Sequence, residues 1–512
     1  MHGAPLVTLQ CSSARAESRT HLARFGTSSG GEMVSLNTMN SLTSVFERIR
    51  QFDNPFAHIC MNNKVDEFCS NCLRIPKTKK LLKCASCEFA RYCDKECQRI
   101  AWKHHRNECR RLKAVFPNLP LTEVLFMSRI VDRVLFLEAN GDKYGWERDR
   151  KWSELLGHEE DIKADQAKYE HFEKIFNKMS IFRKDEMIDK DKFYIIFCKT
   201  SINSHSIHTS AGTEVGMALD LDIAGVSAYD HSCRPNCSLV FDGYQACLRP
   251  LTPQTNASDP RTSFISYIDI GRSRYQRRKE LKAKWYFDCA CERCCDPADN
   301  ILTSIRCSDA SCDEPLITAE DAEATAITCP KCGQVADEEY VRAAQQMMLR
   351  LPAKFSPESN PDSLQELLDE ASNVLHQKNI YITRLQTAIM HITGTLKDNL
   401  PFIQHQVYEN YKMCFPYADR HIGYQLLQIV KAYIEKGQRK EAVSYAFEAM
   451  NIFEICFGLQ HPYYLQTLAL WTFLDTNAPK TDEELFALIN FHSNRPVDLS
   501  NILSDVTQKL IG

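Results

Sequence analysis

The chain has 512 residues, of which 44% are hydrophobic and 25% are charged, and its formal net charge is −4. This globular composition leaves room for two to four domains and excludes a chain that is disordered as a whole. No apolar run approaches the roughly 20 residues that span a bilayer, so we expect no membrane crossing, and the small net charge gives the whole chain no preference for nucleic acid.

The N-terminal segment, residues 1–44, is rich in Ser, Thr and Arg and poor in acidic residues. Such a composition is found in organelle transit peptides and, more often, in poorly ordered tails, and we predict the tail. Apolar residues become frequent again between residues 45 and 59. A folded domain therefore begins near residue 45.

Cysteine is abundant, with 23 residues that fall mostly in closely spaced pairs. No secretory hydrophobic segment opens the sequence, so we interpret the pairs as metal ligands in a reducing compartment rather than as disulfides. Thiolate and imidazole groups in sets of four favour zinc over other ions.

Residues 69–109 contain four such pairs. The candidate ligands are Cys69, Cys72, Cys84, Cys87, Cys93, Cys97, His105 and Cys109. Eight ligands form two closed tetrahedral sites with no position left for water, which predicts two structural zinc ions. The spacing permits either neighbouring or alternate pairs to share an ion, and the short separations favour alternate pairs. Residues 64–113 carry 14 Lys and Arg against 6 Asp and Glu, a local charge of +8.

The middle of the chain changes from helical to strand patterns. Helical apolar spacing runs from about residue 121 to 182, with apolar residues at positions 172, 175, 179 and 182. Between residues 193 and 250 we predict alternating strands and turns, including a hairpin that turns at Asp242-Gly243.

Three further short segments are informative. Residues 229–236 read Tyr-Asp-His-Ser-Cys-Arg-Pro-Asn, and residues 265–269 read Ile-Ser-Tyr-Ile-Asp. The third segment supplies three thiolates, those of Cys289, Cys291 and Cys294. Three thiolates are one short of a closed zinc site, and Cys233 is the natural fourth ligand. That closure would hold the first segment beside a strand that contains Tyr267.

A further set of four cysteines has the two-pair spacing of a zinc ribbon and predicts a fourth zinc ion. Its members are Cys307, Cys312, Cys329 and Cys332. We expect the remaining cysteines, among them Cys295, to be small buried hydrophobic residues.

Beyond about residue 339 the pattern is helical to the end. One stretch has the spacing of a tetratricopeptide helical hairpin, with Tyr433, Gly437, Ala442, Ala446 and Ala449. Small residues recur in such hairpins where two helices approach closely. An ordinary antiparallel helical bundle is an equal alternative.

The eight ligands of residues 69–109, together with Tyr92, Gln98 and Trp102, resemble a MYND zinc finger over its full length. The segments at residues 229–236, 265–269 and 286–294 resemble a SET methyltransferase domain with its post-SET cysteines. Together they are similar to the SET-and-MYND (SMYD) family from about residue 45 to the end.

This resemblance implies an α+β fold class, in which a split SET β-fold contains an inserted MYND finger. The finger of this family pairs alternate ligands. The implied organisation is an atypical segment (1–44), the N-terminal part of SET (45–68), the MYND finger (69–109), a helical SET insertion (110–190), the core SET (191–283), the post-SET segment with the zinc ribbon (284–338) and a C-terminal tetratricopeptide-like helical domain (339–512).

The same resemblance implies an S-adenosylmethionine-dependent protein-lysine N-methyltransferase that regulates chromatin through histone lysines and also modifies other proteins. Tyr267 takes the role of the catalytic tyrosine. The implied cofactor-binding residues are Asn203, Asp230, His231 and Phe287. The implied substrate-channel residues are Ser227 and Trp285.

Three departures from the family favour an alternative, a catalytically impaired scaffold that binds proteins through the finger and the helical domain. The family's Gly-x-Gly segment, which wraps the cofactor, is not recognisable around residues 26–31. The usual Asn before His231 is Asp230, which lacks an amide donor. A usual channel tyrosine is replaced by Trp285.

The resemblance also implies proline-rich peptide partners for the finger. The local charge of +8 permits weak, salt-dependent contact with nucleic acid. A purely DNA-binding zinc protein is a weaker alternative because no base-reading helix is recognisable. We expect a monomer that is present in nucleus and cytoplasm.

Overall fold

The computed structural model describes residues 48–76, 80–141, 151–209, 212–219, 225–356, 358–393, 400–475 and 480–489. The predicted tail, residues 1–44, lies outside these ranges, and so does the glycine region around residues 26–31. Among the described helices, none is both long and apolar enough to cross a membrane.

Helices form most of the regular structure. Those in the first 300 residues are α1 (Lys95–Val115), α2 (Thr122–Asn140), α3 (Glu159–Ala164), α4 (Gln166–Arg183), α5 (Lys190–Asn203), α6 (Arg274–Trp285) and α7 (Glu292–Cys295). Those beyond are α8 (Glu338–Arg350), α9 (Pro361–Val374), α10 (Ile380–Thr393), α11 (Leu400–Cys414), α12 (Arg420–Glu435), α13 (Arg439–Cys456), α14 (Pro462–Asp475) and α15 (Asp482–Ile489).

The strands form two three-stranded antiparallel sheets and two short ribbons. One sheet has the order β1 (Arg50–Phe52), β8 (Gln245–Pro250), β7 (Cys237–Asp242), and the other has the order β2 (Ala57–Cys60), β6 (Glu214–Leu219), β5 (Ser204–His208). The ribbons are β3 (Leu82–Lys83) with β4 (Arg91–Tyr92), and β9 (Ile327–Thr328) with β10 (Val335–Ala336). Strands from before the finger thus pair with strands from well after it, which confirms the split β-fold.

The predicted hairpin is confirmed, with its turn one residue later than expected. Asp242 pairs with Gln245, so the turn residues are Gly243 and Tyr244. The Tyr244 N–H donates to the carbonyl of Cys72 (3.2 Å), and the Arg74 guanidinium donates to the Asp242 carboxylate (2.7 Å). The hairpin tip is therefore seated on the finger.

Residues 193–203 form helix α5, whereas we had predicted strands from residue 193 onward. Phe193, Ile196 and Phe197 share one buried helical face, a spacing of three and four residues that strands do not use. The Asp189 carboxylate accepts the backbone N–H of Asp191 (2.8 Å) and so caps the helix start. The first strand of this region, β5, begins only after the helix ends.

The predicted helical hairpin near the C-terminus is confirmed as α12 and α13. Gly437 has a positive φ of 70° in the turn between them. Ala442, Ala446 and Ala449 are fully buried where the two helices meet. These small side chains allow the close approach that the sequence pattern indicated.

Two arginines hold the C-terminal helices on the β7–β8 hairpin. Arg249 of β8 donates to the carbonyl of Ile455 near the end of α13 (2.9 Å). Arg420, at the start of α12, donates to the Ser238 hydroxyl (3.0 Å) and to the carbonyl of Leu239 in β7. The helical domain is thus fixed along one side of the β-fold.

Candidate active site and metal centres

The finger brings its eight predicted ligands together as two sets of four. The first set is Cys69, Cys72, Cys93 and Cys97, and the second set is Cys84, Cys87, His105 and Cys109. Within each set the ligand atoms lie within 4.8 Å of one another. The sets therefore combine alternate pairs, and they interlock across the β3–β4 ribbon and helix α1.

Helix α1 positions three of these ligands because its start is fixed by a cap. The Asp94 carboxylate accepts the backbone N–H of Cys97 (2.8 Å). His105 and Cys109 are four residues apart, which places both on one face of the helix.

A buried carboxylate supports the second set from outside. Glu108 lies 3.1 Å from His105 Nδ1 and accepts two hydrogen bonds from Arg129 (2.8 and 2.7 Å). Burial opposes ionisation of Glu108, but the Arg129 guanidinium and His105 outweigh it and hold the pKa of this carboxyl at about 2. His105 thus donates from Nδ1 and presents Nε2 to the metal position. Sequence reasoning missed both supporting residues, although Glu108, one turn after His105, could have been found.

Two more sets lie outside the finger. The third set is Cys233, Cys289, Cys291 and Cys294. The fourth set is Cys307, Cys312, Cys329 and Cys332. Cys295, beside the third set, is exposed and belongs to none of the sets in the described residues, contrary to our expectation that the leftover cysteines are buried.

Sulfur–sulfur distances test whether these sets suit zinc. Six of them, at least one from each set, lie between 3.5 and 4.0 Å, and all ligand atoms of a set lie within 4.8 Å of one another. Tetrahedral Zn–S bonds of about 2.3 Å place sulfur atoms roughly 3.8 Å apart, whereas a disulfide requires about 2.05 Å. The donor sets therefore fit one zinc ion each.

One cavity of about 1970 Å³ gathers the seven residues predicted for the cofactor and the substrate channel. They are Asn203, Ser227, Asp230, His231, Tyr267, Trp285 and Phe287. Small-molecule sites usually measure roughly 300–1,000 Å³, so this cavity can hold a cofactor together with part of a larger substrate. Its far wall comes from the C-terminal helices and includes Tyr411, Tyr424 and Lys431.

His231 joins the third metal set to the segment that carries Tyr267. Its Nδ1 accepts the backbone N–H of Tyr267 (3.0 Å), and its Nε2 lies 3.3 Å from Cys233 Sγ. Nδ1 must therefore be unprotonated, and Nε2–H donates to the sulfur. Burial lowers the pKa of His231 to about 4, which keeps the imidazole neutral.

Backbone pairing reinforces this junction. The N–H of Ile265 donates to the carbonyl of Asp230 (3.1 Å), and the N–H of Ser232 donates to the carbonyl of Ile265 (3.0 Å). Residues 265–269, which we had predicted as a strand, form a single bridge at Ile265 and then bend. The side chain of Tyr267 is consequently positioned by His231 and by its own hydroxyl, not by a sheet.

Aromatic side chains form the wall around Tyr267. Its ring lies 5.1 Å from the Trp285 ring, and its hydroxyl donates to the carbonyl of Tyr229. The Trp285 indole N–H donates to the carbonyl of Ile202 (3.2 Å). The Phe287 ring lies 6.2 Å from His231. Trp285 is therefore held by the end of α5, with its ring turned toward Tyr267.

The remaining predicted residues of the cofactor site and the substrate channel differ in their surroundings. The Asn203 amide donates to the carbonyls of Lys199 (2.7 Å) and Leu156 (2.8 Å), so both of its N–H groups are engaged inside the protein. Asp230 is exposed to solvent, and Ser227 lies half-buried in a short 3₁₀ turn. Only the carbonyl oxygen of Asn203 remains to accept a ligand.

The sequence analysis did not identify two lysines that lie over the rings of Trp285 and Tyr286. The Lys284 ammonium lies 4.4 Å from the centre of the Trp285 ring, and the Lys168 ammonium lies 4.0 Å from that of Tyr286. Lys284 follows the helical pattern of α6 and carries no motif of its own. Lys168 is more than 100 residues away in sequence, so no local pattern links it to the site.

The comparisons with known proteins match these observations. Residues 69–109 match the MYND finger family. The chain is 25% identical to the histone-lysine N-methyltransferase SMYD3 of Mus musculus, over 83% of this chain and 91% of that protein. It is 26% identical to the histone-lysine N-methyltransferase ASHR1 of Arabidopsis thaliana, over 80% of this chain and 87% of that protein. It is 30% identical to the SET domain and MYND-type zinc finger protein 6 of Schizosaccharomyces pombe, over 44% and 43%.

Proposed function

We propose that this chain, a member of the SET-and-MYND family, is a protein-lysine N-methyltransferase that uses S-adenosylmethionine. The observation that carries the proposal is the single cavity that gathers all seven predicted residues beside the third metal set. Relatives named as histone-lysine N-methyltransferases align over most of the chain, which supports the same reaction and makes histones the first substrates to test.

The reaction requires a neutral lysine amine. A lysine in water has a pKa of about 10.4 and is protonated at neutral pH, so its nitrogen cannot attack carbon. The rings of Tyr267 and Trp285 replace water around the entering side chain with apolar surface. Desolvation disfavours the charged form and lowers the pKa of the substrate amine.

Tyr267 orients that amine. Its hydroxyl hydrogen is committed to the carbonyl of Tyr229, so the oxygen presents its lone pairs to the cavity. It can therefore accept an N–H of the amine and aim the nitrogen lone pair along the channel. Positioning of this kind is the main contribution a protein makes to a direct transfer between two bound groups.

The cofactor, when bound, supplies a methyl group that is activated by attachment to a cationic sulfonium. The residues that would hold it are Phe287, against the adenine ring, and Asp230, whose carboxylate can accept from an ammonium group. The backbone at His231 and the carbonyl oxygen of Asn203 complete the predicted set. The metal sets take no part in the transfer, because four protein ligands leave no open coordination position.

Asn203 favours a second candidate function, a scaffold without catalytic activity. Both amide N–H groups of Asn203 are engaged by backbone carbonyls, so the residue offers a cofactor less than the family pattern implies. In this function the finger and the helical domain would bind partner proteins, and the cavity would bind no cofactor.

The first experiment measures transfer of labelled methyl from S-adenosylmethionine to purified core histones, with Tyr267→Phe as the test variant. We expect the variant to be slower by about 10²-fold or more, because one positioned hydrogen-bonding group commonly contributes that much. Its zinc content should equal that of the wild type. Tyr417→Phe, a change at an exposed residue outside the cavity, is the matched control and should retain full activity.

The outcomes separate the candidates. Equal rates for the wild type and Tyr267→Phe would show that we have assigned the channel wrongly. No transfer by the wild type, together with no S-adenosylmethionine binding in calorimetry, would establish the scaffold.

Exposed residues of the finger support protein partners. Leu82, Ile100 and Trp102 are more than 40% exposed there and offer apolar surface to a partner. We propose that this surface accepts proline-rich peptides of partner or substrate proteins, that the protein acts as a monomer and that it works in both nucleus and cytoplasm.

A further inference from the structure

Three buried charged residues lie directly behind the third metal set. Arg277 of α6, Arg293 of α7 and Asp299 have 0%, 1% and 8% of their surface exposed. Arg277 Nη2 donates to one carboxylate oxygen of Asp299 (2.7 Å), and Arg293 Nε donates to the other (2.8 Å). We call these three residues the buried arginine cluster.

The charges of this cluster do not balance. Two guanidinium groups face one carboxylate, and a third, that of the partly exposed Arg274, lies 3.8 Å from the same carboxylate. Within the described part of the chain, Arg277 Nε and Arg293 Nη2 are buried without a hydrogen-bond partner. Because an uncompensated buried charge strongly opposes folding, negative charge must come from another source.

The third metal set supplies that negative charge. Four thiolates exceed the charge of one Zn²⁺ by two negative charges. Arg277 Nη2 lies 3.7 Å from Cys294 Sγ, within reach of an N–H···S hydrogen bond. The second set differs, because an imidazole replaces one thiolate and its outer residue is the carboxylate of Glu108, which is paired with Arg129.

Arg293 contacts the third metal set and also two other parts of the chain. The two hydrogens of its Nη1 donate to the carbonyls of Ile270 (2.7 Å) and Cys414 (2.8 Å), and the same nitrogen lies 3.3 Å from the carbonyl oxygen of Cys233. Cys233 is a ligand of the third set, Ile270 follows Tyr267 by three residues, and Cys414 is the last residue of α11. One guanidinium therefore contacts the metal set, the channel segment and the C-terminal helical domain.

We propose that the buried arginine cluster is the outer shell of the third zinc site, and that it couples occupancy of this site to the position of the channel segment and of helix α11. In this arrangement Arg277 stabilises the thiolates and Arg293 is a positioning residue. The inference rests on zinc binding by the third set and is independent of methyl transfer.

Site-resolved alkylation of the zinc-loaded full-length protein tests whether Arg277 stabilises the third zinc site. Iodoacetamide is added in the presence of a chelator, and the labelling rate of each cysteine is followed by peptide mass spectrometry. In Arg277→Gln we expect Cys233, Cys289, Cys291 and Cys294 to be labelled about 10- to 100-fold faster than in the wild type, as is usual when an outer-shell partner of a metal is removed. The finger cysteines of the same molecules are the internal reference.

Two further variants sharpen this test. Arg277→Lys keeps the positive charge, so its third-set cysteines should react more slowly than those of Arg277→Gln. Arg249→Gln removes a different arginine that also contacts the C-terminal helices, and it should leave the rates of the four third-set cysteines unchanged. Wild-type rates for the third set in Arg277→Gln would overturn the proposal.

The coupling to the channel segment and to helix α11 is tested without changing either arginine, so it stands even if Arg277→Gln does not fold. Hydrogen–deuterium exchange is compared between the wild type and Cys294→Ser, in which only the third set should lose its zinc. We expect faster exchange in residues 410–418, around the Cys414 carbonyl, and in residues 267–272. Unchanged exchange in both segments after the third site is emptied would overturn the coupling.

Discussion

Single side chains connect parts of this molecule that are far apart in sequence. His231 contacts Cys233 with one ring nitrogen and the backbone of Tyr267 with the other. A neutral imidazole can do both only in one tautomer, so the metal set and the reaction centre constrain the same ring. The third metal set is thereby linked to the cavity residue Tyr267, although its four protein ligands leave no open coordination position.

Gly243 is a second residue whose identity is dictated by a distant contact. Its φ of +61° disfavours any side chain, and a Cβ there would lie 1.9 Å from the carbonyl oxygen of Cys72. We predict that Gly243→Ala lowers the free energy of unfolding by roughly 2–5 kcal/mol, because left-handed strain is added to a backbone clash. Chemical denaturation followed by circular dichroism measures the change.

Gly437→Ala is the matched control for this prediction. Gly437 also has a positive φ, +70°, but no atom lies within 4 Å of the position its Cβ would take. We expect Gly437→Ala to lower the free energy of unfolding only by the backbone strain, about 1–2 kcal/mol. If the two variants unfold at the same denaturant concentration, the hairpin tip is not held against the finger as described.

At the scale of elements, the metal sets were the most predictable feature. The spacing between ligands can be read directly along the sequence, and thiolate ligands restrict both the metal ion and its coordination geometry. The consecutive pair Cys294-Cys295 shows the limit of that argument. Spacing assigned Cys294 to the third set, and only the fold shows that Cys295 points elsewhere, at the end of the short helix α7.

This pair gives a prediction about metal content. Wild-type protein should contain four zinc ions per chain, one for each set. Cys294→Ser should contain three, because oxygen replaces one thiolate in a closed site. Cys295→Ser should retain four. Elemental analysis by plasma mass spectrometry measures the content, and loss of zinc from Cys295→Ser would contradict our assignment of the third set.

The secondary structure was predictable from the sequence where the apolar residues followed a single periodicity. Helix α4 and the α12–α13 hairpin followed their apolar spacing, and the β7–β8 hairpin followed its glycine turn. Helix α5 was missed because a short helix followed at once by a strand mixes two periods within one window. Its capping residue, Asp189, was the available signal.

The arginines that support the sites could not be predicted from the sequence. Arg129 contacts Glu108 across 21 residues, and Arg293 contacts Cys414 across 121. Arginine carries no spacing rule comparable to that of cysteine pairs, so long-range pairing is visible only in the fold. The seven cavity residues could be predicted only from the family resemblance, because no local sequence pattern marks them.

At the scale of the whole molecule, the cavity has walls from the β-fold and from the C-terminal helices, so its shape depends on how the two are joined. The join uses Arg249 and Arg420 on one side and Arg293 on another. Because three separate arginines donate across the same boundary, we infer that the helical domain is a fixed wall of the cavity rather than a loosely tethered module.

Arg249 allows this inference to be tested without touching a metal set. It is 9% exposed and donates to the carbonyls of Ile455 and Glu454. We predict that Arg249→Gln costs roughly 2–5 kcal/mol in the free energy of unfolding, since two carbonyls lose a charged donor in a buried boundary. Arg350→Gln removes an arginine whose ion pair with Glu370 is about half exposed, so it should cost at most about 1 kcal/mol. Limited proteolysis should release the C-terminal helices faster only in Arg249→Gln, and equal cleavage of both variants would mean that the helical domain is not held through β8.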